Sequence, residues 1–238
     1  MPMTSPNLDL EDEVEGGASY LSPAAQSVVT PNQMPCQQAQ ALNQQGMSVD
    51  ATKALANGLP ERDAVWWASQ SARKVSNPAH VPDLEAIQAA EAWAKNPTPQ
   101  AQQVASLAAD KAGFQTPGAW ASQGAAWAGS GQGLTGQAVT GAVLMAAGQA
   151  GKPIPAPVAA APNMAKPEVA VPKLAAELAK PKVPALAKPA LEAPKLATPG
   201  PDGLTLTPKE RAEMVKNVQP HLDLGCEVGN GKNSWRNG

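Results

Sequence analysis

Phenylalanine and tyrosine occur once each, at Phe114 and Tyr20. The hydrophobic share of 43% therefore leans heavily on alanine, which removes little area from water per residue. At about 25 cal/mol per Å² of apolar surface, alanine alone gains little against the cost of ordering the backbone. Any sizeable core must gather the larger side chains in one place. Five of the six tryptophans do gather, at Trp66, Trp67, Trp93, Trp120 and Trp127, and only Trp235 stands apart.

Positive charge is missing from residues 1–50, where Asp9, Glu11, Asp12, Glu13 and Glu15 form an acidic run. Lysines recur instead from Lys152 to Lys195, too sparsely for a nucleic-acid site. Also absent is an apolar run of about 18 residues, since Leu134 to Ala150 is broken by Gly136, Gln137, Gly141, Gly148 and Gln149. No transmembrane segment is expected. The first residues carry neither a basic region nor an apolar stretch of the Sec type, so a cytoplasmic protein is expected, with export open only to a route independent of a signal peptide.

Chemistry-bearing residues are few. The two cysteines, Cys36 and Cys226, lie near opposite ends without metal-ligand spacing, and the expectation is unpaired thiols in a reducing compartment. The two histidines, His80 and His221, have no histidine partner at i+4 and read as exposed loop residues, so no metal site is expected. Gly129 to Gly133 lacks the Lys-Ser/Thr pair of a phosphate loop and reads as a flexible connection. No catalytic residue, cofactor or small-molecule substrate is expected, and the chain reads as a non-enzyme.

Local signals organise the rest. Proline-bearing residues 1–47, acidic and then glutamine-rich, are expected to be disordered, with one marginal helix from Cys36 towards Gly46. Residues 48–150 read as an all-α domain, a small bundle or short stack of antiparallel helices. Ser48 offers a cap for Val49 to Asn57, with Gly58 as the stop. Pro60, with Glu61 and Asp63 in the first turn, opens a helix to Lys74. Pro82-Asp83, Thr98-Pro99 and Thr116-Pro117 open three more, and Leu134 to Ala147 gives the last. Residues 151–206, where Ala-Lys-Pro recurs, favour extended polyproline II and read as a spacer. In the tail, 207–238, Thr207-Pro208-Lys209-Glu210 fits a capping box, starting a helix that Pro220 should stop after Val218.

The candidate interaction surface is Arg62, Asp63, Trp66 and Arg73, with Trp235 as a separate docking candidate. Arg62 lies one turn from Trp66 and can stack on its ring, and Arg73 is three turns further on. Adjacent Trp66 and Trp67 are about 100° apart on a helix, so one is core and the other packs elsewhere or faces a partner. The alternative for the two arginines is a solvated helix face, and for the tryptophans, core packing.

Four segments occur in a recognisable order: Leu59-Pro60-Glu61-Arg62-Asp63-Ala64-Val65-Trp66-Trp67-Ala68, Glu91-Ala92-Trp93, Pro117-Gly118-Ala119-Trp120-Ala121 and Ala138-Val139-Thr140-Gly141-Ala142-Val143-Leu144. Together they resemble an uncharacterised proteobacterial family over about residues 50–150. The resemblance implies an association with type VI secretion, and it carries no catalytic residue because the family has no established activity. Two departures stand out, a shorter lead-in before Leu59 and small residues around Trp127, and both imply a thinner core. The leading expectation is a non-catalytic adaptor that binds another protein of a secretion-related assembly. The alternatives are an injected effector with the helical block as loading domain, and envelope or nucleic-acid contact through the lysine-bearing spacer.

Overall fold

Three helices begin on the same local device. Thr98, Thr116 and Thr207 each hold an extended conformation while the hydroxyl accepts the backbone N–H three residues on, with proline in the first turn where its missing N–H costs nothing. Thr207 completes the reciprocal box with Glu210, whose carboxyl is held below the usual carboxylate range by the bonds it accepts from the Thr207 hydroxyl and N–H. Glycines with positive φ close others: Gly46 follows the helix Pro35–Gln44 and Gly113 ends the helix Pro99–Ala112.

The computed structural model describes residues 20–30, 32–130, 133–149 and 206–232, and the acidic run, the spacer and Trp235 lie outside them. Within the described residues the chain is all-α, without a strand. The helices are α1 (Pro23–Gln26), α2 (Pro35–Gln44), α3 (Ser48–Gly58), α4 (Glu61–Arg73), α5 (Val81–Lys95), α6 (Pro99–Ala112), α7 (Pro117–Trp127), α8 (Leu134–Gln149) and α9 (Pro208–Gly229). The five helices read from α4 to α8 start and stop within a few residues of their sequence signals.

Helix α4 is central and packs against α5, α7 and α8, while α6 closes over α5 and α7, and α3 joins α2 and α8. Alanine explains how so little bulk fills the interior. Ala64, Ala68 and Ala72 on α4, Ala86 and Ala90 on α5, and Ala121 and Ala125 on α7 are fully buried, letting helices approach closely around Trp67, Leu55 and Ile87.

Two expectations about the ends are corrected. Part of the N-terminal stretch folds: Asp50, 1% exposed at the start of α3, accepts the Ser22 N–H at 3.0 Å and the Ser22 hydroxyl at 2.8 Å. Those bonds pin the segment carrying α1, and Leu21 and Ala25 join the core. A pairing between residues 28 apart leaves no periodic trace in sequence. At the other end, α9 runs through Pro220 rather than stopping before it. Pro220 lies on the exposed side, while Val218, His221, Leu222, Gly225, Cys226 and Val228 are buried on both sides of it. A proline inside a helix costs about 3 kcal/mol, and burying a single valine or leucine side chain returns about 1.5–3 kcal/mol. The packed stripe wins.

Candidate functional site

Helix α4 carries four of the five expected interaction residues, and it uses most of their chemistry internally. Arg62 Nη2 donates to the Lys95 carbonyl at 2.6 Å, and Arg62 Nε donates to the Ala94 carbonyl. These are last-turn carbonyls of α5, which have no partner within their own helix and favour a cation. Asp63 is 2% exposed. Arg73 meets Glu91 of α5 in a two-pronged pair, Nε to Oε1 at 2.7 Å and Nη2 to Oε2 at 2.8 Å, and Gln70 adds a bond to the same Oε1 at 2.9 Å. That pairing raises the Arg73 pKa.

Trp66 is 7% exposed and is covered by Lys95, whose Nζ lies 5.7 Å from the ring centroid. The expected recognition surface is therefore a seam between α4 and α5. Its charges bind the two helices together. Trp235 is outside the described residues.

Trp67 points the other way, towards α9. It is fully buried, and its indole Nε1 donates to the His221 carbonyl at 2.6 Å. Helix α9 lies in a groove walled by α2, α3, α4 and α8. It comes close at Gly225, where an added Cβ would stand 2.7 Å from Leu55 Cδ2 and 2.7 Å from Trp67 Cε2. Only a residue without a side chain lets the helix lie that close to the indole.

A polar ladder runs along the groove edge. The Ser48 hydroxyl donates to Asn43 Oδ1 at 2.7 Å, Asn43 Nδ2 donates to Gln219 Oε1 at 2.8 Å, and Gln219 Nε2 donates to Asp223 Oδ1 at 2.8 Å. Near the start of α9, Arg211 Nη1 donates to the Gly46 carbonyl at 3.2 Å.

Two chemistry-bearing residues sit in this groove against expectation. Cys36 and Cys226 form a disulfide, with Cα atoms 5.4 Å apart across a sequence separation of 190. They are not unpaired thiols, because α2 and α9 are ordered and adjacent. His221 is 3% exposed rather than in a loop, and its Nδ1 has no hydrogen-bond partner among the described residues. Burial, with the charge of Lys74 adding to it, lowers its pKa to about 4. His80 remains exposed, as expected, and its Nδ1 accepts the Asp83 N–H at the start of α5.

The glycine-rich connection after α7 is anchored at its first residue. Glu61 Oε2 accepts the Gly129 N–H at 2.8 Å, and Oε1 accepts the Thr135 hydroxyl at 3.1 Å. No group of three or more potential metal ligands forms among the described residues. No helix among them is long and apolar enough to cross a membrane.

A family model described as a family of unknown function (DUF6931) matches residues 38–166, more than half of the chain. The chain belongs to this family. No curated protein and no solved structure matches it. The DUF6931 stretch takes in α3 to α8 and most of α2, including all four of the ordered sequence segments. Helix α9 and both cysteines fall outside it. The walls of the groove thus lie mainly within the matched residues, and the helix that fills it lies outside them.

Sequence reasoning missed this groove. The one legible hint was the spacing of Val218, Leu222 and Gly225 across Pro220, which keeps a helical stripe going where the proline alone argues for a stop.

Proposed function

We propose that the chain is a non-catalytic protein–protein interaction module, an adaptor accessory to a bacterial secretion assembly of the type VI kind, with the groove over Trp67 as its binding element. One observation carries this reading: the DUF6931 domain receives, as a packed helix, a segment from beyond its own boundaries. A surface that recognises an amphipathic helix through an apolar stripe, a close glycine contact and an edge ladder is a helix-in-groove site. The ordered motif segments support the link to type VI secretion. The seam residues Arg62, Asp63, Trp66 and Arg73 then serve to hold the wall of the groove in place.

The compartment follows from the same chemistry. Disulfides persist in oxidising surroundings and are rare in the reducing cytoplasm. The compartment that suits the Cys36–Cys226 bond is accordingly an oxidising one.

Affinity capture from the source bacterium tests the adaptor reading. The baits are the full-length reduced chain and its Gly225→Leu variant, in which α9 cannot seat against Trp67. A peptide of residues 206–232 serves as competitor. The expected result is a secretion-apparatus protein enriched on Gly225→Leu and displaced by the peptide. Captured proteins that the variant does not enrich and the peptide does not displace overturn the reading.

A further inference from the structure

We infer that the Cys36–Cys226 disulfide is a latch that holds α9 in the groove as an internal ligand, and that reducing it lets an amphipathic helix of a partner protein take α9's place. The inference rests on the helix-receiving groove proposed above and adds its regulation and the chemistry of its occupant. The occupant carries aliphatic residues at the positions of Val218 and Leu222 and a small residue at that of Gly225, because the Leu55–Trp67 floor leaves no room for a Cβ there.

Three observations converge. First, both sulfurs and the whole of α9 lie outside the DUF6931 stretch, which supplies most of the groove. Second, α9 is a handicapped ligand. Pro220 removes one backbone donor from the middle of the helix, and His221 buries an Nδ1 with no partner among the described residues. A proline inside a helix lowers its formation constant by roughly 100-fold, and an unsatisfied buried nitrogen lowers it further. A partner helix free of both defects binds tighter than α9 by that margin. Third, the covalent bond supplies what the contacts lack. Held only by the continuity of the chain, α9 faces the groove at an effective concentration on the order of millimolar, which a partner about 100-fold tighter overcomes at tens of micromolar. With the disulfide closed, it cannot.

The opening step is a thiol–disulfide exchange. A thiolate of a dithiol reductant attacks one sulfur of the pair, and Cys36 is the less buried partner. The S–S bond breaks and the leaving sulfur takes up a proton. The reductant's second thiol then displaces the remaining cysteine as it closes its own disulfide, leaving two protein thiols and one oxidised reductant.

The test uses a fluorescein-labelled peptide of residues 206–232 bearing Pro220→Ala, His221→Leu and Cys226→Ser, titrated into the full-length chain by fluorescence anisotropy. The last change rules out simple thiol capture. The receptors are the oxidised chain, the chain reduced with dithiothreitol, and reduced Gly225→Leu, each checked for retained near-ultraviolet tryptophan circular dichroism. The reduced chain should bind roughly 100-fold more tightly than the oxidised chain, with Gly225→Leu at least as tight. Adding Leu222→Asp to the peptide should abolish binding. Equal binding to the oxidised and reduced chains overturns the latch and leaves the groove standing. Binding to reduced Gly225→Leu but not to the reduced wild-type chain does the same, since α9 then holds itself in place. Failure of all three folded receptors to bind overturns both the latch and the helix-receiving groove.

Discussion

At the scale of single residues, adjacent Trp66 and Trp67 divide the labour of α4. One lies under Lys95 at the α5 seam, and the other forms the floor beneath α9. That they face different ways was legible from the 100° step between neighbours, but which neighbour each would meet was not. His221 shows the limit more sharply. A histidine after a proline reads as a loop residue, and nothing in its local sequence announces the groove that buries it.

Its burial has a consequence for stability. Folded His221 stays neutral down to about pH 4, whereas the unfolded chain protonates it near the ordinary value of about 6.5. Between those values the unfolded state binds more protons. Stability from this group is therefore complete above about pH 6.5 and is lost as the pH falls towards 4. Lys74, at the end of α4, acts in the same direction by opposing a second positive charge. Thermal melts of the oxidised chain at pH 7.5 and pH 5 should show a lower midpoint at pH 5. His221→Leu should narrow that gap, and an unchanged gap would mean that His221 is not buried neutral.

Among elements, the α4–α5 seam explains why charged residues at helical spacing are poor evidence of a binding face. Arg62 and Arg73 do share one side of α4, as the eleven-residue spacing requires. Whether that side meets solvent or α5 depends on Glu91 and on the end of α5, which are distant in sequence. The helices that were legible, α4 to α8, announce themselves by threonine-proline starts, glycine stops and acids in the first turn, all local signals. Helix α9 was legible only up to Pro220, because what carries it further is the packing of residues 218–228 on other helices.

The seam pair is half-exposed, with side-chain exposures of 42% for Arg73 and 14% for Glu91. Solvent screening therefore keeps its worth modest despite the two-pronged geometry. A double-mutant cycle of Arg73→Ala and Glu91→Ala, measured by urea unfolding, should give a coupling energy of about 0.5–1 kcal/mol that shrinks in high salt. A coupling near zero at low salt would release Arg73 for a role outside the bundle.

For the whole molecule, the question is how a chain with one phenylalanine and one tyrosine holds its two described ends together. The alanine-rich interior packs densely but contributes little per residue, so long-range ties carry more of the burden. They are Asp50 to Ser22, Asn43 to Gln219, Trp67 to His221, and above all Cys36 to Cys226. None is readable from sequence without knowing which segments meet. A bond across a separation of 190 residues removes much of the freedom of the unfolded chain, and the loop-closure relation puts its contribution at about 5 kcal/mol. For a protein of this size, that corresponds to a fall in Tm of roughly 10–20 °C on reduction. Calorimetry of the full chain with and without dithiothreitol measures it, and Cys36→Ser/Cys226→Ser should melt with the reduced form. A fall of only a degree or two would mean that the unfolded chain already keeps α2 and α9 close, or that their contacts alone secure the docking. A fall of the expected size would show that the chain spends its folding stability on one removable bond at the groove, which is what an element built to be released requires.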